Sequence, residues 1–325
     1  MPYPTALVLH PDCGLHDTGW GHPEHQGRLP AIINAIHREM PALIGAMLQR
    51  EATPAGVEDL VRVHADSLVE AVRRAAEEAG REGRQVYLEA DTVVSGASWD
   101  AALASAGCAI TAAELVLDGE ASTAFALCRP PGHHATVDRA MGFCLFNNVA
   151  VATRRIQAVR GVGRVLIIDW DVHHGNGTQD IFYQDPSVYY LSLHLSPHYP
   201  GTGFVEERGA GSGLGATRNV PLPAGTPAGE YLRRFDEALD ATLAEFEPEF
   251  VFISAGFDCL AGDPLGGLEL EPSDLHALAV RVVERARAVA RGRVVAVLEG
   301  GYVPERLGLG VVAVLRAFAG LPPAD

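Results

Sequence analysis

The sequence predicts an α/β protein of three layers, with helices on both faces of a mostly parallel sheet. Three observations predict it: short unbroken Val/Ile/Leu runs, helical patterns alternating with those runs, and polar or glycine-rich clusters placed directly after them. Apolar runs without polar alternation suit strands buried on both faces, and strands that alternate with helices pair in parallel through crossover connections.

In chain order, Thr5–Leu9 reads as a first strand, and Leu29–Ile36, after a Gly/Pro-rich loop, has apolar residues at helical spacing. Val57–Arg62 and Ser67–Ala79 read as helices, broken near His64. Residues 99–117 form a strong helix, with Trp99, Leu103, Ala106, Ile110 and Ala113 on one face. Four strand-like runs follow, each ending in a polar cluster: Ala124–Cys128 before RPPGHH, Val165–Ile168 before DWDVHHGNG, Phe250–Ser254 before AGFD, and Val294–Leu298 before EGGY. Val188–Leu193 is a further strand, and helices fit at Asn147–Val159, Glu230–Phe246 and Pro272–Ala290. No linker, repeat or charge block divides the chain, so residues 1–325 read as one domain, with 318–325 a loose tail.

Composition narrows the function. Hydrophobic residues make up 48% and charged residues 20%, an ordinary globular balance. The net charge is −16 and every basic side chain is arginine, which argues against nucleic acid as a direct partner. Cationic ligands remain compatible. Cys13, Cys108, Cys128, Cys144 and Cys259 are odd in number and lack CxxC spacing, as expected of reduced thiols in a cytoplasmic protein. No basic segment followed by an apolar run opens the chain, and no stretch reads as the roughly 20 apolar residues of a membrane span.

Ligands of open parallel sheets bind beyond the carboxyl ends of the strands. That rule gathers His133, His134, Asp169, Asp171, His173, Asp258 and Tyr302 on one rim. Alternation along an extended segment would point residues 169, 171 and 173 the same way. Asp171, His173 and Asp258 together offer two carboxylates and an imidazole, a set that suits zinc with an open coordination position. The adjacent imidazoles of His133 and His134 suit a general base and an electrostatic partner, each needing an orienting acceptor; Asp169 and Asn176 are the candidates. Tyr302 follows Gly300 and Gly301 and could donate to a developing oxyanion. His10, Cys13 and His16 match no zinc signature and read as a plain loop, while His64 and His194 read as hydrogen-bonded structural histidines.

These residues resemble the histone deacetylase family of the arginase–deacetylase superfamily. The motifs are HPEHQGR at 22–28, RPPGHHA at 129–135, GFCLFNNVA at 142–150, IDWDVHHGNGTQ at 168–179, YLSLH at 190–194, YPGTG at 199–203, SAGFD at 254–258, GDPLGG at 262–267 and LEGGY at 298–302, in the family's order. Several look more like the class II branch and its bacterial relatives. The resemblance implies the arginase–deacetylase fold, with a sheet of about eight strands, and one zinc on Asp171, His173 and Asp258. It implies that His134 is general base and then acid, that His133 with Asp169 is its electrostatic partner, and that Tyr302 polarises the acetyl carbonyl. Phe143 and Tyr199 would wall an acyl-lysine tunnel beside Gly142, with Gly301, Leu265 and the rim carboxylate Asp91 contacting substrate. Arg28 matches an arginine near an internal acetate channel. Potassium would bind at Asp169, Asp171, His173, Ser192 and Leu193, and a second ion at Phe182, Asp185 and Val188.

Asn176 stands where class I enzymes carry Asp, and Tyr302 is present where weakly active members carry His. The implied activity is hydrolysis of acetyl-lysine in proteins or peptides. The alternatives are an acetylpolyamine amidohydrolase, against which Leu265 stands at the acidic gatekeeper position, a binuclear manganese ureohydrolase, and a non-catalytic acyl-binding protein. Oligomeric state stays open, with loop Pro11–His25 either a rim or an interface.

Overall fold

The computed structural model describes residues 5–324. Its elements in order are β1 (Thr5–Leu9), α1 (Arg28–Leu43), β2 (Met47–Glu51), α2 (Val57–Leu60), α3 (Asp66–Glu82), β3 (Val86–Glu89), β4 (Thr92–Val94), α4 (Ser98–Leu117), β5 (Thr123–Leu127), α5 (Asn148–Arg160), β6 (Val165–Asp169), α6 (Asn176–Phe182), β7 (Val188–Leu195), β8 (Thr217–Leu222), α7 (Ala228–Glu245), β9 (Phe250–Ala255), α8 (Pro272–Val289), β10 (Val294–Leu298) and α9 (Pro304–Phe318). Eight strands form one parallel sheet in the order β2-β1-β5-β10-β9-β6-β7-β8, and β3 pairs with β4 in a small antiparallel hairpin.

The four strands that precede the polar clusters are the four central neighbours, β5, β10, β9 and β6. Their side chains are buried throughout, which is why they read as unbroken apolar runs. Because all run in one direction, their carboxyl ends share a rim.

Two rows of helices flank the sheet. One packs α1, α9, α8 and α7 in succession, and the other packs α4 against α5 and α3. Local signals set several helix ends. Asn147 caps α5 by accepting from the Ala150 N–H at 3.0 Å, so it precedes the helix the sequence placed it in. Gly83 and Gly161 end α3 and α5 in the left-handed conformation. Glu271 and Asp274 form a reciprocal capping box at α8.

Three expectations need correction. The first part of the 318–325 segment is not a loose tail: Phe318 is buried at the end of α9, Leu321 packs on the core, and its carbonyl accepts from His276 Nε2 at 2.8 Å. Second, α4 is long and apolar enough to cross a membrane by length and composition. It is 72% buried within the protein, and its apolar surface faces the sheet and α5, as in a core helix. Third, the extended segment stops at Asp169, so residues 169, 171 and 173 do not continue a strand.

His64 is the structural histidine the sequence suggested. Its Nδ1–H donates to the Thr136 carbonyl at 2.8 Å and its Nε2 accepts from the Asn147 N–H at 2.9 Å. A proton on Nε2 would set N–H against N–H. Burial pushes this imidazole down from 6.5 to about 4. Between those values the unfolded chain binds more protons than the folded one, so stability falls as pH drops through the window. The expected slope is about 1.4 kcal/mol per pH unit from this group. Urea unfolding of wild type and His64→Gln from pH 7 to 5 should show a shallower slope in the variant; parallel slopes would refute it.

Candidate active site

The rim brings the sequence's candidates together. Single ligand atoms of Asp171, His173 and Asp258 lie within 4.8 Å of one another, all buried. The loop after β6 is shaped by its own carboxylates. Asp169 Oδ1 accepts from the Asp171 N–H at 3.1 Å, and Asp171 Oδ1 from the His173 N–H at 2.9 Å. Asp258 reaches across from β9 to accept from the Val172 N–H at 2.9 Å. The His173 Nδ1 lies 3.0 Å from Asp171 Oδ1 and 3.3 Å from Asp258 Oδ2.

This cluster fits a divalent cation. Asp258 Oδ2 is buried with no hydrogen-bond partner, a costly arrangement for a carboxylate oxygen. Burial, then the neighbouring Asp171, pushes the Asp258 carboxyl up to about 7. The fold therefore concentrates more negative charge here than its own groups neutralise. Gly256 and Gly300 leave the room: a Cβ on Gly256 would meet Asp171 Oδ2, and one on Gly300 would meet Asp258 Oδ2.

The histidine pair sits beside this cluster, its rings 4.0 Å apart. The two orienting partners read from the sequence are in place. His133 Nδ1–H donates to Asp169 Oδ2 at 3.1 Å, and His134 Nδ1–H donates to Asn176 Oδ1 at 2.8 Å. Asp169 thus serves His133 and the Tyr190 hydroxyl, at 3.0 Å, and lies outside the three-residue metal cluster. Burial disfavours charge on both imidazoles, but the carboxylates of Asp171 and Asp169 outweigh it at His133 and raise that group to about 10. His134 has a neutral amide as partner, and burial followed by the charge on His133 drives it well below its ordinary value. The two adjacent imidazoles are thus shifted in opposite directions, His133 up and His134 down.

A cavity of about 290 Å³ opens onto His134, lined by Asp91, His134, Gly142, Phe143, His173, His198, Tyr199, Pro264, Leu265 and Tyr302. The Phe143 ring stands edge-on to Tyr302 with centroids 5.9 Å apart, and Tyr199 edge-on to His134 at 5.1 Å. Phe143 adopts φ 67°, beside Gly142 at φ 55°. A Cβ on Gly142 would come 2.5 Å from His134 Cδ2, so the close approach itself requires glycine. Burial, then Asp258 and Asp171, raises the Tyr302 phenol well above its usual value, which keeps it a hydrogen-bond donor. Asp263 accepts from the Tyr302 N–H at 2.7 Å and from the Leu265 N–H at 2.9 Å, tying the phenol's backbone to the rim loop.

Other candidates lie off the cavity. Gly301 is held by its carbonyl, which accepts from Arg28 Nε at 2.8 Å. Fully buried Arg28 also donates to the Glu299 carbonyl and to Glu24, so its guanidinium is occupied by protein groups. Ser192 pairs in register with Asp169 across β6 and β7, and Leu193 follows it. The Phe182 carbonyl accepts from the Asp185 N–H at 3.0 Å and the Asp185 carbonyl from the Val188 N–H at 3.5 Å, while the Asp185 carboxylate is taken by Ser187 and Arg154. His16 bonds Ser98 and His194 bonds Ser192 and the Gly203 carbonyl, as structural groups do.

The sequence reading missed His198, Pro264 and Glu299. The His198 ring stacks on His173 at 4.9 Å and 18°, and its Nε2–H donates to the Leu265 carbonyl at 2.8 Å. Nothing in its sequence neighbourhood signals that stack. Glu299 did carry a signal, an acidic residue wedged between a buried strand and two glycines.

Fold and site together define an amide hydrolase of the deacetylase type, and the chain belongs to the histone deacetylase family, whose domain model matches residues 22–318. It is 41% identical over 318 residues to "Histone deacetylase 10, chloroplastic" of Oryza sativa, covering 93% of this chain and 70% of that one. It is 37% identical over 303 residues to a histone deacetylase-like amidohydrolase of Pseudomonas aeruginosa, covering 93% and 77%. The crystal structure of the HDA15 HD domain superposes with a TM-score of 0.91 at 36% identity, covering 99% of this chain and 90% of that one.

Proposed function

We propose that the chain is a zinc-dependent deacetylase that hydrolyses the acetyl amide of acetyl-lysine in proteins or peptides. The observation that carries this reading is the histidine pair, oriented by Asp169 and Asn176, beside a three-ligand cluster at the floor of an aromatic-walled cavity. Asp171, His173 and Asp258 would hold zinc. The chemistry supplied there is Lewis acidity and a water made far more acidic than bulk water, near neutrality. Potassium at Asp169, Asp171, His173, Ser192 and Leu193, and at Phe182, Asp185 and Val188, would be structural.

The protein's own groups supply the rest. Phe143 and Tyr199 hold the acyl chain and exclude water. With Nδ1 committed to Asn176, His134 takes the attacking water's proton at Nε2 and returns it to the departing amine nitrogen. His133, paired with Asp169, offsets developing negative charge. The Tyr302 hydroxyl donates to the acyl oxygen. The balance is amide plus water to free amine plus acetate.

Leu265 supports acyl-lysine over a polyamine: among the described residues Asp91 is the one acidic side chain lining the cavity, leaving little to bind a second ammonium. The five buried free thiols support residence in a reducing compartment. Chelation should abolish acetate release, and one equivalent of zinc should restore it. Kinetics on an acetyl-lysine peptide and on acetylputrescine should then favour the peptide. The reverse order would replace the substrate, and no acetate from either with metal-loaded protein would overturn the reading.

A further inference from the structure

Glu299 is fully buried at the end of β10 and bridges three of the four central strand tips. Its Oε2 accepts from the backbone N–H of Gly132 at 2.7 Å and of His133 at 3.1 Å, on the loop after β5. Its Oε1 accepts from the Ser254 hydroxyl at 3.1 Å, on β9. Its own backbone is pinned as well: the N–H donates to the Ala255 carbonyl at 3.0 Å, and the carbonyl accepts from Arg28 Nη2 at 2.6 Å. Three residues on in the same segment stands Tyr302.

The two halves of the catalytic apparatus therefore meet at this residue. Its side chain grips the backbone that carries His133 and His134, and its main chain begins the short segment that ends in Tyr302. Arg28 steadies that segment at Glu299 and Gly301, and Asp263 steadies it at Tyr302. We propose that Glu299 is a positioning residue that sets the spacing between the histidine pair and the Tyr302 phenol. This deepens the deacetylase reading and rests on it for the roles of His134 and Tyr302.

Removing the carboxylate orphans two buried N–H donors on the loop that aims the base. Misplacing a catalytic group by about 1 Å costs about 100-fold in rate. Glutamine keeps a carbonyl for those donors and an amide that can donate to Ser254, so it should restore the geometry without the charge.

Three readouts test this on the zinc-loaded protein. Glu299→Ala should lower kcat on an acetyl-lysine peptide about 100-fold with KM unchanged, and Glu299→Gln should recover most of that loss. Hydrogen exchange should quicken at residues 130–135 in Glu299→Ala while the loop at 170–175 stays as in wild type. The exchange measurement needs no turnover, so it judges the positioning claim even if no acetylated substrate is hydrolysed, an outcome that would count against the deacetylase reading alone. Unchanged exchange at 130–135 would overturn the proposal. So would a kcat loss in Glu299→Gln as large as in Glu299→Ala, or exchange quickened across the whole sheet.

Discussion

Replacing His134 with alanine is expected to lower kcat by about 10²–10⁴-fold, the range for loss of a positioned general base. The size follows from the absence of a substitute. His133 cannot take over, because its Nδ1–H is spent on Asp169 and it does not line the cavity that His134 faces. His173 is turned to Asp171 and Asp258. Asn176, left without its imidazole, is an amide and accepts no proton. Binding should survive, since the walls Phe143 and Tyr199 and the rim carboxylate Asp91 are untouched. The check is steady-state kinetics together with direct binding of the acetyl-lysine peptide. A drop of less than tenfold in kcat, or a loss confined to KM, would remove His134 from the base role.

The second large effect is expected from a single methyl group. Gly300→Ala should cut metal affinity by at least about 10–100-fold, the scale of damage to groups that support a metal's ligands, and activity should fall with it. A Cβ at this position would overlap Asp258 Oδ2 and come 2.7 Å from Asp171 Oδ2. Gly300 is not among the positive-φ glycines, so alanine is acceptable to the backbone and the effect is steric. Neither carboxylate can retreat freely: Asp171 Oδ2 accepts from the Gly300 N–H at 2.9 Å, and Asp258 Oδ1 from the Val172 N–H. Gly229→Ala, with open space around its Cβ at the start of α7, is the control and should bind metal as wild type does. Metal content by mass spectrometry after dialysis decides; full occupancy in Gly300→Ala would show that the ion does not sit between these carboxylates.

How much of this was legible in the sequence depends on what each residue's signal requires. The central strands were readable because burial on both faces leaves no polar residue to blur them. The edge strands β2, MLQRE, and β8, TRNVPL, were not, since one side meets solvent or a loop and the apolar run is broken. The orienters of the two imidazoles were readable because each lies in a polar cluster at a strand tip, and parallel strands bring those tips together. The handoff at Asp169 was misjudged: turning off the strand, the chain caps its own N–H groups with Asp169 and Asp171, and alternation no longer applies. His198 was invisible, because its stack on His173 arises only when two distant loops fold over one another. The helix α4 reads as membrane-compatible or as core depending only on what surrounds it, which composition does not encode.

Phe143 shows where this molecule accepted a thermodynamic handicap. A phenylalanine at φ 67° lies in a region that bulky side chains rarely enter, at a cost of about 1–3 kcal/mol. Asparagine or glycine would rest there more comfortably, and a thermostabilising redesign guided by backbone preference would select 143 early. The redesigned protein would melt later and lose the flat ring beside Tyr302. Robustness and the shape of the cavity wall compete directly at this one position.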